Sequence, residues 1–397
     1  MKNEDFNGDS VVDGSAWRSF CDRLARIGER ILDEDFPATP RGRTEGYRHL
    51  ANQTIGWMSW ALFYAETTQP AFYRQNDLVV RWGGPNVDQV TRRARLVPEG
   101  VYRIHGHMGA CEDFILTLKD GDMYMDKYGI LSESTANELG IRSGDEFELV
   151  IGAEQQPGRW LPLPANATMM NFREYYFDWR ALPPAIITIQ RLDTVGNPPP
   201  LITPERFADQ LDDAATLIER SVVYWNDWVN GERARVATNA LSEPHGTTGG
   251  SKKISYGFGF FDLADNEAWL IETDIPDADY YDFQLYNLAW FETLDFPNRT
   301  TSLNHTQTTP STDGRLRIVV SHSDPGVPNW IDTMGYNQAM FTYRWIKPRT
   351  TPTATARVVP IAELRNHLPD DTPAIDAQAR RDEIRRRQLH NAWRYRT

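Results

Sequence analysis

Apolar and polar positions along the chain predict two helices, then two blocks of strands that are joined by a third helix. Over residues 17–31, apolar side chains recur at intervals of three and four, and Phe36-Pro37 ends this first helix. A second helix is predicted over residues 44–67, where Trp57 and Trp60 widen the apolar stripe until the helix must be mostly buried. Together the two elements predict an N-terminal helical hairpin.

Segments with alternating apolar and polar residues, separated by turn signals, predict strands. The first block has predicted strands at residues 90–97, 101–108, 111–118, 146–151, 169–178 and 186–192. The second block has them at residues 254–263, 268–273, 280–288, 316–322 and 339–346. The linker Asn197-Pro198-Pro199-Pro200 precedes a helix that opens at Thr203-Pro204, and the Arg-rich stretch 376–396 predicts a C-terminal helix.

This pattern predicts a mainly β (α+β) fold: jelly-roll-like antiparallel β-sandwich domains with an N-terminal helical hairpin, a connecting helix and a C-terminal helix. The predicted order is a disordered N-terminus, a helical region, a first β block, a linker with the connecting helix, a second β block with the candidate site, and a helical tail. The corresponding ranges are residues 1–15, 16–82, 83–196, 197–235, 236–350 and 351–397. No internal repeat of fixed period is visible, although the two blocks are compatible with two halves of one layered sandwich.

The 397 residues carry a formal net charge of −13. This balance argues against non-specific binding to nucleic acid and against docking on anionic lipid, because both need basic faces. We therefore expect neither a nucleic-acid nor a membrane partner. The aromatic share of 12% favours sheet surfaces or pockets that are lined with rings.

Cysteine usage and the N-terminal residues bear on the cellular compartment. Cys21 and Cys111 have no metal-binding spacing, and two cysteines exclude a disulfide framework. Residues 1–15 lack the apolar region of a secretory signal, and nowhere do about eighteen apolar residues run together. We therefore predict a reducing, cytoplasmic location.

One loop between two predicted strands of the second block concentrates chemically active side chains. We expect His322 to be a general base or acid, with Asp324 or Asp332 holding its tautomer, because histidine titrates near neutral pH. Asn329 would hold substrate oxygens and Trp330 the apolar body of the substrate. The alternative is structural, with the two aspartates as turn formers and caps and Trp330 as a core residue.

A second long, aromatic segment follows the predicted strand 280–288, and its length suggests that it closes over a pocket. Glu292 would serve as a second acid there, since aromatic surroundings favour a protonated carboxyl. The alternative is that Glu292 forms an ion pair with Arg299 or Arg344. Further candidate substrate-binding residues of this block are Asn287, Trp290, Asn304 and Arg344.

Arg48 lies in the predicted first turns of the second helix, where the helix dipole disfavours positive charge. We therefore expect a negative partner near it. This partner is either a ligand, with Arg48 as a substrate-binding residue, or a carboxylate in an ordinary ion pair.

His105 and His107 lie two apart on a predicted strand and so face one side of the sheet, as metal-binding histidines of cupins do. With Glu112, Gly100 and Gly121 the spacing resembles the first cupin motif, but it departs from that motif at both glycines. No second cupin motif is evident. We therefore assign no metal, and a Mn, Fe or Zn site at His105, His107 and Glu112 stays the alternative to packed or surface histidines.

Other catalytic motifs are absent from the sequence: there is no GxSxG, no HExxH and no Rossmann fingerprint. The glycine-rich stretch 246–252 lacks the ending of a phosphate-binding loop, because Lys252 is followed by Lys253. We interpret it as a mobile loop. No cofactor is therefore expected.

Four segments resemble a large bacterial family, the domain of unknown function 1214: EGYRHLANQTIGW, GRWLPLPANATMMNFREYYFDW, FQLYNLAWFETLDFPNRTTSLN and HSDPGVPNWIDTMGY. The resemblance extends from about Thr44 to the C-terminal helix, and HSDPGVPNWIDT is its most specific part. It implies jelly-roll β-sandwich domains with flanking helices, assembly as a homo-oligomer and no settled activity. Some members lie in catabolic contexts for aromatic or steroid-like compounds, which agrees with an aromatic-lined pocket. The histidine pair is not part of the family pattern.

The predicted function is that of an enzyme of lyase or hydrolase type that acts on a small hydroxylated, hydrophobic molecule. General acid–base chemistry would be carried by His322, Asp324, Asp332 and Glu292. The alternative is a non-catalytic sandwich that binds a ligand or glycan, in which Trp290 and Trp330 stack on a sugar or ring.

Overall fold

The computed structural model describes residues 8–396, which divide into two compact units. The first unit contains the described chain up to Trp82 together with Val90–Glu174 and Ala185–Asn226. The second unit contains Gly83–Gln89, Tyr175–Pro184 and the described chain from Asp227 onward. Two short segments of the predicted first β block therefore belong to the second unit.

Helices precede, connect and follow the strand blocks. They are α1 (Asp9–Val12), α2 (Ser15–Arg30), α3 (Pro40–Met58), α4 (Pro204–Arg233) and α5 (Ala377–Tyr395). A π-helical turn (Ser59–Phe63) follows α3, and 3₁₀ turns lie at Met123–Met125 and Ile361–His367. Within residues 8–396, no helix is long and apolar enough to cross a membrane.

The N-terminal predictions need two corrections. Residues 1–7 of the segment predicted to be disordered lie outside the described residues, whereas α1 forms in the remainder of that segment. The second helix begins at Pro40 and not at Thr44. The reason is that Thr39 caps it by accepting a hydrogen bond from the Gly42 amide, and proline suits the first helical position.

The first unit is a sandwich of two sheets. Its strands are β1 (Tyr73–Asn76), β2 (Gln89–Arg95), β3 (Tyr102–His107), β4 (Asp113–Lys119), β5 (Ile130–Thr135), β6 (Glu146–Gly152), β7 (Trp160–Pro162), β8 (Met169–Tyr175) and β9 (Ile186–Arg191). One sheet has the order β1-β2-β8-β4-β5 and the other the order β7-β6-β3-β9. Phe114 of β4 and Phe147 of β6 meet between the sheets, with ring centroids 5.7 Å apart.

The second unit is also a sandwich of two sheets. Its strands are β10 (Ile254–Asp262), β11 (Glu267–Asp274), β12 (Tyr280–Tyr286), β13 (Ser302–Asn304), β14 (Arg315–Ser321), β15 (Trp330–Asp332), β16 (Gln338–Ile346) and β17 (Thr355–Pro360). The sheet orders are β10-β16-β12-β13 and β15-β14-β11-β17. Between them, Phe283 and Phe341 of one sheet pack with Trp269 and Ile318 of the other in a buried core. The predicted mainly β fold with jelly-roll-like sandwiches is therefore confirmed.

The two units share one strand topology. When β2 to β9 are matched in chain order with β10 to β17, the order β2-β8-β4-β5 becomes β10-β16-β12-β13, and β7-β6-β3-β9 becomes β15-β14-β11-β17. Both units also have a parallel edge pair, β6 with β7 and β14 with β15. This repeat is not visible in the sequence. Two units can have the same strand topology when their patterns of buried positions are similar, even if the residues at those positions differ.

Candidate functional site

The loop between β14 and β15 holds His322 by contacts other than the predicted ones. Its Nδ1 shares a hydrogen bond with Thr333 Oγ1 at 2.7 Å, and its Nε2 lies 3.5 Å from the Leu263 carbonyl oxygen. Within residues 8–396, neither Asp324 nor Asp332 is hydrogen bonded to the imidazole. The predicted His–Asp pairs are therefore not formed, because each carboxylate has another partner.

The carboxylates of Asp324 and Asp332 are each bound by a backbone amide of their own turn and by an arginine. Each carboxylate accepts a hydrogen bond from the amide two residues further along, the arrangement of an Asx turn. Asp324 also accepts from Arg380 Nε at 2.9 Å, and Asp332 from Arg299 Nη1 at 2.8 Å. The geometry agrees with the structural alternative for both aspartates.

Asn329 and Trp330 attach the same loop to the sheet. Asn329 has a φ of 55°, in the left-handed region that asparagine tolerates better than most residues. Its Oδ1 accepts from the Thr309 amide at 2.7 Å, and its Nδ2 donates to the carbonyl oxygens of Thr309 at 2.8 Å and Arg317 at 3.0 Å. Trp330 donates from Nε1 to Ser321 Oγ at 3.0 Å. Both predicted binding residues thus have structural contacts.

The segment after β12 folds back on itself around Asn287. The Asn287 Oδ1 accepts from the amides of Trp290 at 3.3 Å and Glu292 at 3.1 Å. The Trp290 ring is 1% exposed and so belongs to the interior of the second unit. Both arginines considered as partners of Glu292 form their ion pairs with aspartates instead.

Arg344 and Asn304 belong to a buried polar cluster that sequence reasoning missed. Arg344 donates from Nη1 to Asp282 Oδ2 at 3.0 Å, and Asn304 donates from Nδ2 to Asp88 Oδ1 at 3.0 Å. Tyr280, which lies on the same face of β12 as Asp282, donates a hydrogen bond to Asp88. All five side chains are at most 3% exposed. In the sequence, only the polar face of β12 indicated this cluster. The residues that contact that face come from distant segments of the chain, so the sequence did not reveal them.

Burial controls the protonation of this cluster. It raises the pKa of Asp282 to about 7 against the opposing field of Arg344, and it raises the pKa of Asp88 against a hydrogen bond from Tyr280. Perturbed carboxyls often mark functional sites, but these two are closed off from solvent. The cluster therefore has the properties of a stabilising network inside the second unit.

The predicted residues of the first unit do not form a common site. Arg48 is exposed near the middle of α3, not in its first turns, and within residues 8–396 it pairs with no carboxylate. His105 and His107 are exposed on one side of β3, and His107 Nδ1 accepts from the Gly109 amide at 3.0 Å. No three His, Cys, Asp or Glu side chains in the described chain are grouped to hold a metal ion, those around Glu112 included.

A groove of about 350 Å³ in the second unit lies where the start of α5 meets the segment after β13 and the end of the loop before β15. Small-molecule sites measure roughly 300–1,000 Å³, so the groove suits a compact ligand. Asn329 is the predicted binding residue that lines it. Leu303, Pro328 and Ile375 supply apolar wall.

The charge of this groove is positive. Its charged lining consists of Arg180, Arg380, Arg386, Arg387, Asp178 and Glu383. Arg387 is 1% exposed and is held by the Ser302 carbonyl oxygen at 2.5 Å and by Glu383 at 3.4 Å. Arg386, in contrast, is exposed and forms no ion pair with any residue in 8–396. Its guanidinium is available to a ligand.

Gln307 supplies a second available donor. Its Oε1 accepts from the Asn304 amide at 3.2 Å and lies 3.5 Å from Arg387 Nη2, which orients the side-chain amide. The NH₂ group then has no acceptor within residues 8–396. Sequence reasoning missed Gln307 and Arg386. It did note the Arg-rich helix, in which Arg380, Glu383 and Arg387 recur at intervals of three and four on one face.

Residues 268–350 match the sequence model of the family described as Protein of unknown function (DUF1214). The predicted resemblance to this family is confirmed over these residues. The matched range contains β12 to β16 and, with them, Gln307 and Asn329 of the groove. The arginines of α5 lie beyond it.

One solved structure extends the similarity beyond the family match. A crystal structure of an uncharacterized protein from Burkholderia cenocepacia is similar with a TM-score of 0.82 and 28% identity, over 90% of this chain and 99% of that one. The VPA0106 protein from Vibrio parahaemolyticus has a TM-score of 0.47 and 12% identity, over 79% of this chain and 98% of that one. No curated protein matches the chain.

Proposed function

We propose that this protein binds a small hydroxylated, partly apolar molecule with a carboxylate group in the groove of the second unit. The observation that carries the proposal is a cavity of about 350 Å³ that presents the guanidinium of Arg386 and the amide of Gln307. A carboxylate suits both groups, because it accepts two parallel hydrogen bonds from a guanidinium and further bonds from an amide. The wall of Leu303, Pro328 and Ile375 would contact the apolar body of the ligand.

Binding is better supported than catalysis. Within residues 8–396, no carboxylate is hydrogen bonded to His322, the predicted general base, and both aspartates are used by turns and ion pairs. A histidine that acts as a general base with an aspartate partner needs a hydrogen bond from its imidazole to that carboxylate. The lyase or hydrolase activity stays a prediction. The ligand proposed here belongs to the class of molecule that was predicted as the substrate, which is hydroxylated and hydrophobic.

The test is a thermal-shift screen of the full chain against aromatic, steroid and sugar acids, each paired with its neutral amide or alcohol. A ligand at a hundred times its dissociation constant adds about 2.7 kcal/mol to the free energy of unfolding, which gives a measurable shift. We expect hits among the acids, and a loss of their shifts in Arg386→Gln.

Arg385→Gln is the matched control. Arg385 is the neighbouring arginine on α5, is exposed, and forms an ion pair with Asp382 at 2.9 Å away from the groove. It should keep the full ligand response. Equal shifts in wild type and Arg386→Gln, or a screen without acid hits, would contradict the proposal.

A further inference from the structure

One face of the five-stranded sheet in the first unit carries a cluster of cations. Arg93 Nη2 lies 3.6 Å from Met169 Sδ, which joins β2 to β8, and Arg173 Nη1 donates to Thr117 Oγ1 at 3.0 Å, which joins β8 to β4. Met169 and Arg173 are four apart on β8 and so share this face, because side chains of a strand alternate with a period of two. By the same rule the cations of this face are Arg93, Arg95, Lys119 and Arg173.

Most of this positive charge has no ionic partner. Arg93 pairs with Asp122, but Arg95, Lys119 and Arg173 form no ion pair within residues 8–396. Lys119 is only 3% exposed, and burial, reinforced by Arg173, lowers its pKa to about 8. Burial also lowers the pKa of Arg95. Asp122 and Asp213 act on Arg95 and Asp122 and Asp120 on Lys119, but without forming an ion pair with them. Buried cations are normally paired directly, so in the described chain Arg95, Lys119 and Arg173 lack a direct ionic partner on this face.

Hydrogen-bonding groups on the same face are also unsatisfied. Among residues 8–396, the Nε atoms of Arg93 and Arg95 and the Oδ1 of Asn171 are buried without a partner. Asn171 lies between Met169 and Arg173 on this side of β8. Buried polar atoms in folded proteins almost always have partners, so the two orphan Nε–H groups point to a ligand with acceptor oxygens, whereas Asn171 Oδ1 would need a donor such as a hydroxyl group.

An aromatic ring in a π-helical turn packs against two of the cations. Trp60 lies in the π-helical turn after α3, and the guanidinium carbons of Arg93 and Arg95 lie 4.1 and 4.6 Å from its ring centroid. These cation–π contacts fix the two side chains without neutralising their charge. Short π-helical turns are frequent at functional sites.

The corresponding sheet of the second unit shows what this face lacks. There β16, the counterpart of β8, carries Arg344, and β12, the counterpart of β4, supplies Asp282 to it at 3.0 Å. In the first unit Arg173 donates to the hydroxyl of Thr117 on β4, and that hydroxyl donates to the carboxylate of Glu133 on β5 at 3.3 Å. The strand arginine of the second unit therefore contacts a carboxylate directly, whereas that of the first unit is linked to one only through a hydroxyl group.

We propose that the cationic face of Arg93, Arg95, Lys119 and Arg173 binds a small molecule with two or more negative charges, of the carboxylate or phosphate monoester class. Its oxygens would accept from the orphan guanidinium nitrogens and from the Lys119 ammonium, and would give Arg95, Lys119 and Arg173 a direct ionic partner. This second site lies in the first unit and is independent of the groove.

The experiment is calorimetric titration of the full chain with citrate, inorganic phosphate and glycerol 3-phosphate, and with glycerol as the neutral control. All of these measurements use protein that carries Arg386→Gln, called the background protein, because this substitution removes binding in the groove. We expect at least one anion to bind, glycerol not to bind, and Lys119→Met to weaken the anion by about tenfold or more. Lys127→Met, at an exposed lysine of the same unit, should leave the affinity unchanged.

A thermal scan without ligand adds a second readout. Lys119→Met should raise the midpoint, because it replaces an unpaired buried ammonium by an apolar group of similar length. Arg173→Gln is the second variant and should also weaken the anion. The proposal is overturned if no probe binds at millimolar concentration, or if both variants bind the anions as tightly as the background protein does.

Discussion

Arg344 and Asp282 form an ion pair inside the second unit, with Nη1 3.0 Å from Oδ2 and side-chain exposures of 3% and 1%. The two residues are direct partners in the register of β16 and β12. Tyr286, on the same face of β12, accepts a further hydrogen bond from Arg344. A pair this deeply buried stabilises the fold only while both members are present, since either one alone is a desolvated charge.

We expect Arg344→Met to lower the free energy of unfolding by about 3–5 kcal/mol at pH 8, where Asp282 is ionised and would lose its partner. Thermal or urea denaturation measures this loss. Arg349→Met is the control, because Arg349 forms its ion pairs with Asp277 and Asp279 at the surface and should matter far less. Similar losses in both variants would show that the buried pair has no special role.

The pH dependence of stability should carry the signature of Asp282. Burial raises its pKa in the folded protein to about 7, so its contribution is fully present below the pKa of the unfolded chain and is lost as the pH rises through about 7. The raised pKa of Asp88 acts in the same direction. Asp282→Asn should therefore flatten the fall of the melting midpoint between about pH 4 and pH 8. An identical slope in wild type and variant would rule out titration of this carboxyl.

Asn329→Ala tests whether the loop residue is structural. The change removes three side-chain hydrogen bonds and leaves alanine at a φ of 55°, so we expect a loss of about 2–3 kcal/mol. The melting midpoint measures it, with Asn298→Ala at an exposed position of the same unit as control. An unchanged midpoint with lost ligand binding would instead make Asn329 a binding residue.

Filling the groove should abolish ligand binding without altering its charges. Ala379 lines the groove on the exposed side of α5, so Ala379→Phe places a ring in the ligand volume while the helix is retained. Gln378→Phe, one residue earlier and outside the lining, is the matched control. We expect ligand-induced thermal shifts to vanish only in the first variant. Full binding by Ala379→Phe would place the ligand elsewhere.

Local patterns predicted the elements of the fold well. The strand predicted at 254–263 is β10 (Ile254–Asp262), and the helix predicted at 376–396 is α5 (Ala377–Tyr395). Periodicity succeeded there because each long element buries one face. It missed six strands of the described chain. Three of them, β7, β13 and β15, have three residues each and are too short to show a period. The other three are β1, β5 and β17, and β1 and β17 correct the prediction that residues 16–82 and 351–397 are helical regions.

The candidate site was less predictable than the fold. The predicted loop does form, and Asn329 does line a groove, but His322 pairs with Thr333 and not with an aspartate. The groove donors Arg386 and Gln307 come from α5 and from the segment after β13, and no local pattern predicts that these two segments meet.

The sequence by itself determined the helices, the long strands and the buried face of each, because alternation and capping act over a few neighbouring residues. Only the tertiary structure decided which polar side chains meet. Asp88 and Asn304 are 216 positions apart, and Arg344 and Asp282 are 62 apart. Such contacts depend on strand order and register, which any one segment leaves open. The same reason explains why the cations of β2, β4 and β8 form one face only when the sheet is assembled.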